Sequence, residues 1–378
     1  MRSIIAVGVC MVAFGACQVA SLPQGAEEQD LSASVLFNPG TLTVMTRSLS
    51  PGLSLERMLA VRGEPTAART PELMDALRAE DPVLRARTLA EEIQYARPHL
   101  IGLQQAVRVW LGHPGDTLSG AAPPNEAPTL DLLPLLLSEL EARGLRYREV
   151  ARVDNAHVAL PLPVHPGGPL DALRLADFDV ILAREDVAVE GVRTGHYRAR
   201  REVRQPGQTP VALSRGWVSV AAAVEGQHYR FVSTHLEPAP AEDGLRVQRA
   251  QAAELIDSLR GEPLPVVLVG DFNTPANLGL LGAPTYGELL LAGYVDVWTR
   301  RQGGDVGADG EVPLEVRALE ERRHLVLVRN PVTPNPSRVG PVLAYALGSA
   351  RTQPGLEPWR TDRAGVVARL RMPAPARN

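Results

Sequence analysis

The chain has 378 residues, of which 45% are hydrophobic and 22% are charged, and its formal net charge is −4. This length fits one large domain or two average ones, and the composition is that of an ordinary globular protein. The acidic balance argues against a generally basic nucleic-acid binder, although it is compatible with a local basic groove.

The first residues resemble an export signal, predicted here over residues 1–20. Arg2 precedes an apolar run over 4–14 that is too short to span a bilayer. Small residues then precede Cys17, as at a bacterial lipoprotein processing site, which predicts cleavage before Cys17 and its lipidation. Ordinary signal cleavage near Ala20 is the alternative. Either way we expect an exported protein: a periplasmic or outer-membrane lipoprotein with a lipid anchor, or an extracellular protein.

Three further segments follow the predicted signal. Residues 21–40 are small and polar and predict a flexible tether, residues 41–373 a folded domain, and residues 374–378 a short tail. The chain's two cysteines, Cys10 and Cys17, both lie in the signal segment, so we expect a mature protein without a disulfide.

Apolar patterns predict the elements of the domain. Short β-branched runs between turn residues predict strands over 42–47, 100–103, 179–182, 218–224, 228–233, 266–269, 325–328 and 364–370. Helical spacing predicts helices over 82–96, 130–145 and 245–259. Glu225-Gly226-Gln227 separates two of the strands and predicts a hairpin. Hairpins and long helices without a regular βαβ rhythm predict an α+β fold, with helices covering antiparallel-rich sheets.

The most informative stretch is Val-Val-Leu-Val-Gly-Asp-Phe-Asn at 266–273. A strand points residues i and i+2 to the same side, so Asp271 and Asn273 should emerge together at the end of a rigid element. A carboxylate acceptor beside an amide donor is suited to orienting a water and a phosphate oxygen. An Asx turn at a strand end is the alternative for an isolated Asp-x-Asn.

Polar side chains also end the other predicted strands. They lie in the strings Val44–Ser48, Ile101–Gln105, Ser233–Glu237 and Thr361–Val366. With Gly-Asp-Phe-Asn, their order resembles the endonuclease/exonuclease/phosphatase superfamily, from about Leu42 to Met372. Its members carry an Asn after the first strand, a Leu-Gln-Glu, a Thr-His-Leu, a Gly-Asp-Phe-Asn, a late-strand Asp and a Ser-Asp-His-x-Gly-Val. The strings at 179–184 and 214–220 resemble an exported bacterial branch.

The resemblance implies a four-layer αββα sandwich of two packed, mainly antiparallel sheets flanked by helices, with the site at their rim. It also implies hydrolysis of phosphoric esters with Mg²⁺ or Mn²⁺. The chain retains the superfamily's catalytic positions at Asp271, Asn273 and His235, and a metal-binding position at Asp362.

Four positions depart from the superfamily pattern. Ser48 replaces the Asn, Gln105 the metal-binding Glu, His324 the late-strand Asp, and Arg363 the final His. Gln105 offers a carbonyl oxygen but no charge, so Mg²⁺ or Mn²⁺ affinity should fall even if Asp362 keeps some. Arg363 cannot accept a proton, and losing a general acid–base group costs about 10²–10⁴ in rate. Arg363 is, however, suited to clamping a phosphate as a fixed bidentate cation.

These departures leave three functions open. The four substitutions favour a pseudoenzyme that binds a phosphorylated or anionic small molecule or phosphodiester without cleaving it. A weakened or altered metal-dependent phosphodiesterase or phosphatase is the second, in which His99, His157 or His324 would rebuild a site. An envelope interaction domain is the third. The superfamily processes nucleic acids, phospholipid head groups and inositol phosphates, and the sequence does not choose among them.

Overall fold

A computed structural model describes residues 41–49, 81–111, 127–163, 170–203, 211–239, 241–300, 321–330, 343–347 and 365–371. These residues belong to one compact unit, residues 40–378. The predicted signal, tether and tail lie outside the described residues, as do Cys17, Asp362 and Arg363. Within the described part of the chain, no helix has the length and apolar character needed to cross a membrane.

The described part of the chain contains fifteen strands and five helices, with several runs of consecutive strands. The strands are β1 (Leu42–Ser48), β2 (Leu100–Leu111), β3 (Leu130–Asp131), β4 (Tyr147–Pro163), β5 (Leu170–Arg184), β6 (Ala188–His196), β7 (Arg201–Val203), β8 (Val211–Leu213), β9 (Gly216–Val224), β10 (Gln227–His235), β11 (Val266–Asp271), β12 (Val295–Asp296), β13 (His324–Arg329), β14 (Leu343–Leu347) and β15 (Gly365–Leu370). The helices are α1 (Pro82–Ala96), α2 (Leu132–Ala142), α3 (Glu242–Ser258), α4 (Gly279–Gly282) and α5 (Pro284–Leu291), with 3₁₀ turns at Ala276–Leu278 and Val297–Arg300.

Two large sheets carry most of the strands. The first has the order β14-β15-β1-β2-β5-β4, with β3 paired to β2, and the second has the order β12-β13-β11-β10-β9-β6. Strands β7 and β8 form a separate pair. The pairs β1–β2 and β10–β11 are parallel, and the other described pairs are antiparallel. Both large sheets are therefore mainly antiparallel.

Three apolar clusters define four layers. One cluster lies between the sheets and includes Val44, Ile181, Val220, Val267 and Val326. A second joins the outer face of the first sheet to α1 and α2, and a third joins the outer face of the second sheet to α3 and α5. The expected αββα sandwich is thus confirmed.

The inward faces of the strands change from apolar to polar at one end of the sandwich. On β11, Val267 and Val269 lie in the central cluster, and Asp271 follows at the next inward position. On β13, Val326 and Val328 are inward, and His324 begins the strand. Residues two apart on a strand share a face, so Ser48 on β1, Asp179 on β5 and His235 on β10 also point inward. They lie at the same end of the sandwich as Asp271. The ends of the inward faces therefore form a common polar rim.

The predicted elements agree with the structure where the apolar pattern is strong. The helix predicted over 82–96 has these bounds, and Asp81 caps it by accepting hydrogen bonds from the Val83 and Leu84 N–H groups. The hairpin turns at Glu225 and Gly226, whose φ angles of 49° and 77° suit a two-residue turn. The second helix is shorter than expected, at 132–142, and the Asp131 carboxylate at its start binds Arg108 instead of capping the helix.

Gly102 marks a close approach between the two sheets. A Cβ at this position would lie 2.6 Å from Val269 Cγ2 and 2.8 Å from Ser233 Oγ on the facing sheet. We therefore expect Gly102→Ala to reduce the free energy of unfolding by about 1–3 kcal/mol through overpacking. Urea denaturation measures this change.

Val269→Ala provides the matched control, because it removes one of the atoms that the new methyl group would contact. The double variant should lose less stability than the sum of the two single variants, with a coupling energy of about 1 kcal/mol. Strictly additive losses would show that the two sheets are not in contact at Gly102.

Candidate functional site

The second sheet contributes a row of three polar residues to the rim. His235 ends β10, Asp271 ends β11 and His324 begins β13, and Asp271 is the register partner of both histidines. All three are buried, with exposures of 0%, 0% and 2% respectively. His235 Nε2 lies 3.9 Å from Asp271 Oδ2. The retained His235 and Asp271 and the substituted His324 therefore occupy one place in the fold.

Asn273 is held by the turn that follows β11. Its φ of 50° is left-handed, and its N–H donates to Asp271 Oδ1 at 3.0 Å, which is an Asx turn. Its Nδ2 donates to Leu236 O at 2.8 Å, so the amide's other atom, Oδ1, points elsewhere. Asn273 Oδ1 is buried and has no hydrogen-bond partner among the described residues. The Asx turn expected as an alternative is therefore present, and Asn273 presents an acceptor.

A β-bulge positions Gln105. The register between β2 and β5 shifts between Leu103 and Ala106, and Gln105 has a φ of 54°. A bulge of this kind re-aims side chains at a sheet rim. It also frees the Gln105 N–H from the ladder, and this group donates to Asp179 Oδ1 at 3.0 Å.

Ser48 and Gln105, two of the substituted positions, are hydrogen-bonded to each other. Ser48 Oγ donates to Gln105 Oε1 at 3.1 Å, and the two residues are 6% and 3% exposed. Beside them, Thr46 Oγ1 donates to Gln104 Oε1 at 3.0 Å, and Gln104 Nε2 donates to Ser233 Oγ on the facing sheet at 3.0 Å. Neutral side chains that are hydrogen-bonded to one another thus fill this part of the rim.

The first sheet adds two buried carboxyl groups, Asp177 and Asp179 on β5. They are 2% and 0% exposed, and they share the inward face because they are two residues apart. Asp179 Oδ2 accepts from Asn155 Nδ2 at 2.9 Å, in addition to its bond from the Gln105 N–H. Asp179 thereby ties together β2, β4 and β5.

Burial raises the pKa values of both carboxyl groups. Burial and the nearby Asp179 charge hold the pKa of Asp177 well above its ordinary value. Burial raises the pKa of Asp179 to about 7, and the charge of Asp271 acts in the same direction, while the bonds from Asn155 and Gln105 oppose the shift. The pair therefore carries less negative charge near neutral pH than two surface aspartates would.

Arg215 is the cation at the centre of the rim. It is 1% exposed, its Nη1 lies 3.0 Å from His235 Nδ1, and its Nε lies 3.4 Å from Glu237 Oε2. Nη1 also lies 3.7 Å from Asp177 Oδ2. One buried guanidinium therefore contacts residues of both sheets.

Two glutamines of α3 fix the loops that leave β10 and β11. Gln248 Nε2 donates to Glu237 O at 2.8 Å and to Asn273 O at 2.9 Å. Gln251 Oε1 accepts from the Glu237 N–H at 2.8 Å. The helix thus positions Glu237 and Asn273 through their backbones.

The described residues do not fit the divalent cation that the family implies. Mg²⁺ and Mn²⁺ prefer several charged oxygen ligands, whereas Gln105 is neutral and its Oε1 already accepts from Ser48. Over the ranges that the structure describes, no three His, Cys, Asp or Glu side chains lie close enough together to hold a metal ion. Asp362, the other expected ligand, lies outside the described residues.

His99 and His157, the other candidate histidines, do not join His324 in a metal site within the described residues. His99 immediately precedes β2 and lies beside the start of β1, the end of β1 opposite Ser48, and its Nδ1 accepts from the Thr43 N–H at 2.9 Å. Burial and the charge of Arg184 lower the pKa of His99 to about 4. His157 is exposed on β4. His99 thus has a structural role, as a neutral acceptor.

Sequence reasoning assigned no site role to five residues of this rim: Asn155, Asp177, Asp179, Arg215 and Glu237. A signal for two of them exists, because Asp177 and Asp179 are two apart within the apolar string Leu-Ala-Asp-Phe-Asp-Val-Ile-Leu. Charges on one face of a buried strand require a specific environment. Arg215 and Glu237 lie in loops, and their convergence depends on pairing between distant strands.

Comparison with known proteins identifies the family. The model of the endonuclease/exonuclease/phosphatase family matches residues 73–313, which is more than half of the chain. The chain therefore belongs to this family, as its motifs predict. No curated protein sequence matches it.

Three solved structures are among those similar to this chain. An endonuclease/exonuclease/phosphatase from Beutenbergia cavernae has 18% identity, a TM-score of 0.49, and a match covering 89% of this chain and 73% of that one. A family protein from Leptotrichia buccalis has 14% identity, a TM-score of 0.49, and coverage of 87% and 99%. A mannosyl-6-phosphatase from Bacteroides thetaiotaomicron has 16% identity, a TM-score of 0.44, and coverage of 87% and 99%. At these identities and TM-scores the likeness carries no inference about activity or substrate.

The raised pKa of Asp179 predicts a pH-dependent stability. The unfolded chain releases this proton near pH 3.9, whereas the folded protein keeps it up to about pH 7. The stabilisation is therefore complete below about pH 4 and is lost as the pH rises through 7. In Asp179→Asn, the decline in unfolding free energy from pH 4 to pH 8 should be smaller by on the order of 4 kcal/mol.

Urea denaturation at several pH values measures the decline in each protein. Asp177 contributes with the same sign, so the variant should retain a shallower slope rather than none. Asp257→Asn, at an exposed position on α3, is the matched control. An unchanged slope in Asp179→Asn would contradict the inferred protonation of this carboxyl.

Proposed function

We propose that this chain is an exported member of the family that binds a phosphorylated or anionic ligand without metal-dependent hydrolysis. The observation that carries the proposal is the bond from Ser48 Oγ to Gln105 Oε1 at 3.1 Å. The Ser48 hydroxyl thus satisfies the side-chain oxygen of the neutral Gln105, and both residues replace residues of the family pattern. Residues of the rim thus stabilise one another without the charge that a divalent cation would need.

The charges of the rim bear on which ligand it takes. The carboxyl groups of the described part of the rim are Asp177, Asp179, Asp271 and Glu237. Arg215 and Arg201 lie within 3.7 Å of Glu237. The raised pKa values of Asp177 and Asp179 lower the negative charge that an anion would meet. A phosphate still requires a further cation, and Arg363 is the residue that the sequence offers. We therefore assign the phosphate clamp to Arg363.

A weakened hydrolase is the second candidate function. It is favoured by the retained His235 and Asp271, whose Nε2 and Oδ2 atoms lie 3.9 Å apart, and by the adjoining Asn273. Export and lipidation at Cys17 belong to the proposal as well and rest on the sequence alone. Globomycin sensitivity and labelling with a radioactive fatty acid would test lipidation.

Metal binding distinguishes the two candidates. We expect no heat of Mg²⁺ or Mn²⁺ binding by calorimetry at millimolar concentrations and no hydrolysis of a generic phosphodiester by the natural chain. The revertant Ser48→Asn, Gln105→Glu, His324→Asp, Arg363→His should gain metal binding, because it restores two carboxylates. Metal-dependent turnover by the natural chain that Asp271→Ala abolishes would overturn the pseudoenzyme proposal in favour of the second candidate.

Anion binding tests the phosphate clamp. Removing a hydrogen bond to a charged group costs about 1.5–3 kcal/mol, so Arg363→Ala should weaken binding of a phosphomonoester about 10- to 100-fold. Arg198→Ala, whose side chain is 92% exposed, is the matched control and should bind as the natural chain does. Binding that survives Arg363→Ala unchanged would remove Arg363 from the site.

A further inference from the structure

His235 is the retained rim residue whose chemistry depends on its proton. A neutral imidazole carries one proton, and the nitrogen that lacks it can accept a hydrogen bond. Which nitrogen carries the proton is set by the partner of the other one. His235 is 0% exposed, so its partners are protein groups.

Arg215 determines whether Nδ1 carries the proton. Its Nη1 lies 3.0 Å from His235 Nδ1, which is hydrogen-bond distance. A guanidinium has only donors and does not lose its proton in proteins. The ring nitrogen must therefore be the acceptor, so Nδ1 bears no proton and the proton of the neutral ring lies on Nε2.

The Nε2–H group lies on the side of Asp271, with 3.9 Å between Nε2 and Oδ2. Among the described residues, the charged and titratable side chains on this side of the rim are Asp177 and Asp179 on β5, Asp271 and His324 in the same sheet as His235, and Arg215, Glu237 and Arg201. The carboxylates alone would favour a doubly protonated ring. The direct contact with Arg215 opposes this, because it would place two N–H donors and two positive charges against each other.

We infer that Arg215 is a positioning residue that holds His235 as a neutral imidazole with its proton on Nε2. The inference deepens the proposed function and rests on it for its consequence: His235 cannot serve as a general base. The lone pair that could take a proton is occupied by a buried guanidinium.

Arg215 is anchored well enough for this role. Its Nε lies 3.4 Å from Glu237 Oε2, and the Glu237 backbone is fixed by Gln248 and Gln251 of α3. The next residue, Gly216, has no room for a side chain, since a Cβ would lie 2.7 Å from Gly195 O and 3.0 Å from Val153 Cγ2. The guanidinium therefore reaches His235 from a closely packed segment.

The protonated nitrogen can be measured directly. The full chain, purified in mild detergent and labelled with ¹⁵N-histidine, has 8 histidines, and His235→Gln identifies the signal of His235. At pH 7 we expect a protonated Nε2 and an unprotonated, hydrogen-bonded Nδ1 in the two-bond ¹⁵N–¹H spectrum. A proton on Nδ1 of the natural chain, in the other tautomer or in an imidazolium, would overturn the inference.

Substitution of Arg215 tests the cause. In Arg215→Met the donor is gone, and Nδ1 should gain a proton in a large fraction of molecules because carboxyl groups surround the ring. Arg198→Met, at an exposed position, should leave the His235 signal unchanged. If Arg215→Met does not fold, Arg215→Lys retains a cationic donor and should keep the Nε2 proton. No ligand is present in these measurements, so failure of anion binding would refute the proposed function and leave the tautomer assignment standing.

Discussion

A single buried guanidinium organises the polar end of this sandwich. Arg215 contacts Asp177 of the first sheet and His235 of the second, and it is 1% exposed. A buried charge is tolerated only when it is paired and hydrogen-bonded, and removing one partner of such a pair typically costs about 3–5 kcal/mol. The two sheets must therefore meet in one register at this end, and the loops carrying Arg215 and Glu237 are held to that geometry.

A second buried contact links Gln105 to Asp179. Gln105 donates its backbone N–H to the Asp179 carboxyl, and Asp271 is close enough for its charge to raise the Asp179 pKa. A glutamate at 105 would add a further carboxylate to this buried group, which a divalent cation would have to neutralise. With an amide at 105 and the pKa of Asp179 raised to about 7, the group carries less negative charge for a cation to neutralise. The neutral side chain at 105 and the raised pKa of Asp179 thus act in the same electrostatic direction.

Much of the fold could be predicted from the local sequence pattern, whereas most contacts of the polar rim could not. The helix at 82–96 and the hairpin at 225–227 depend on spacing and turn residues that are visible in the sequence. The long strands β4 and β5 extend beyond their apolar cores, because pairing with each other stabilises residues that have little strand pattern of their own. Arg215 and His235 are 20 residues apart, and their contact follows from strand pairing and loop packing.

Retention of the Gly-Asp-Phe-Asn string has a structural explanation that requires no catalysis. Gly270 has a φ of 154°, and a Cβ there would lie 2.0 Å from Thr234 O, so the chain needs glycine. Asp271 accepts the N–H of Asn273, Phe272 is 0% exposed in the third apolar cluster, and Asn273 Nδ2 holds Leu236 O. Each residue of the string thus fixes the turn or the core. The substitutions that place Gln105 and His324 at the family's Glu and Asp positions leave these demands in place, so the fold requires the string independently of turnover.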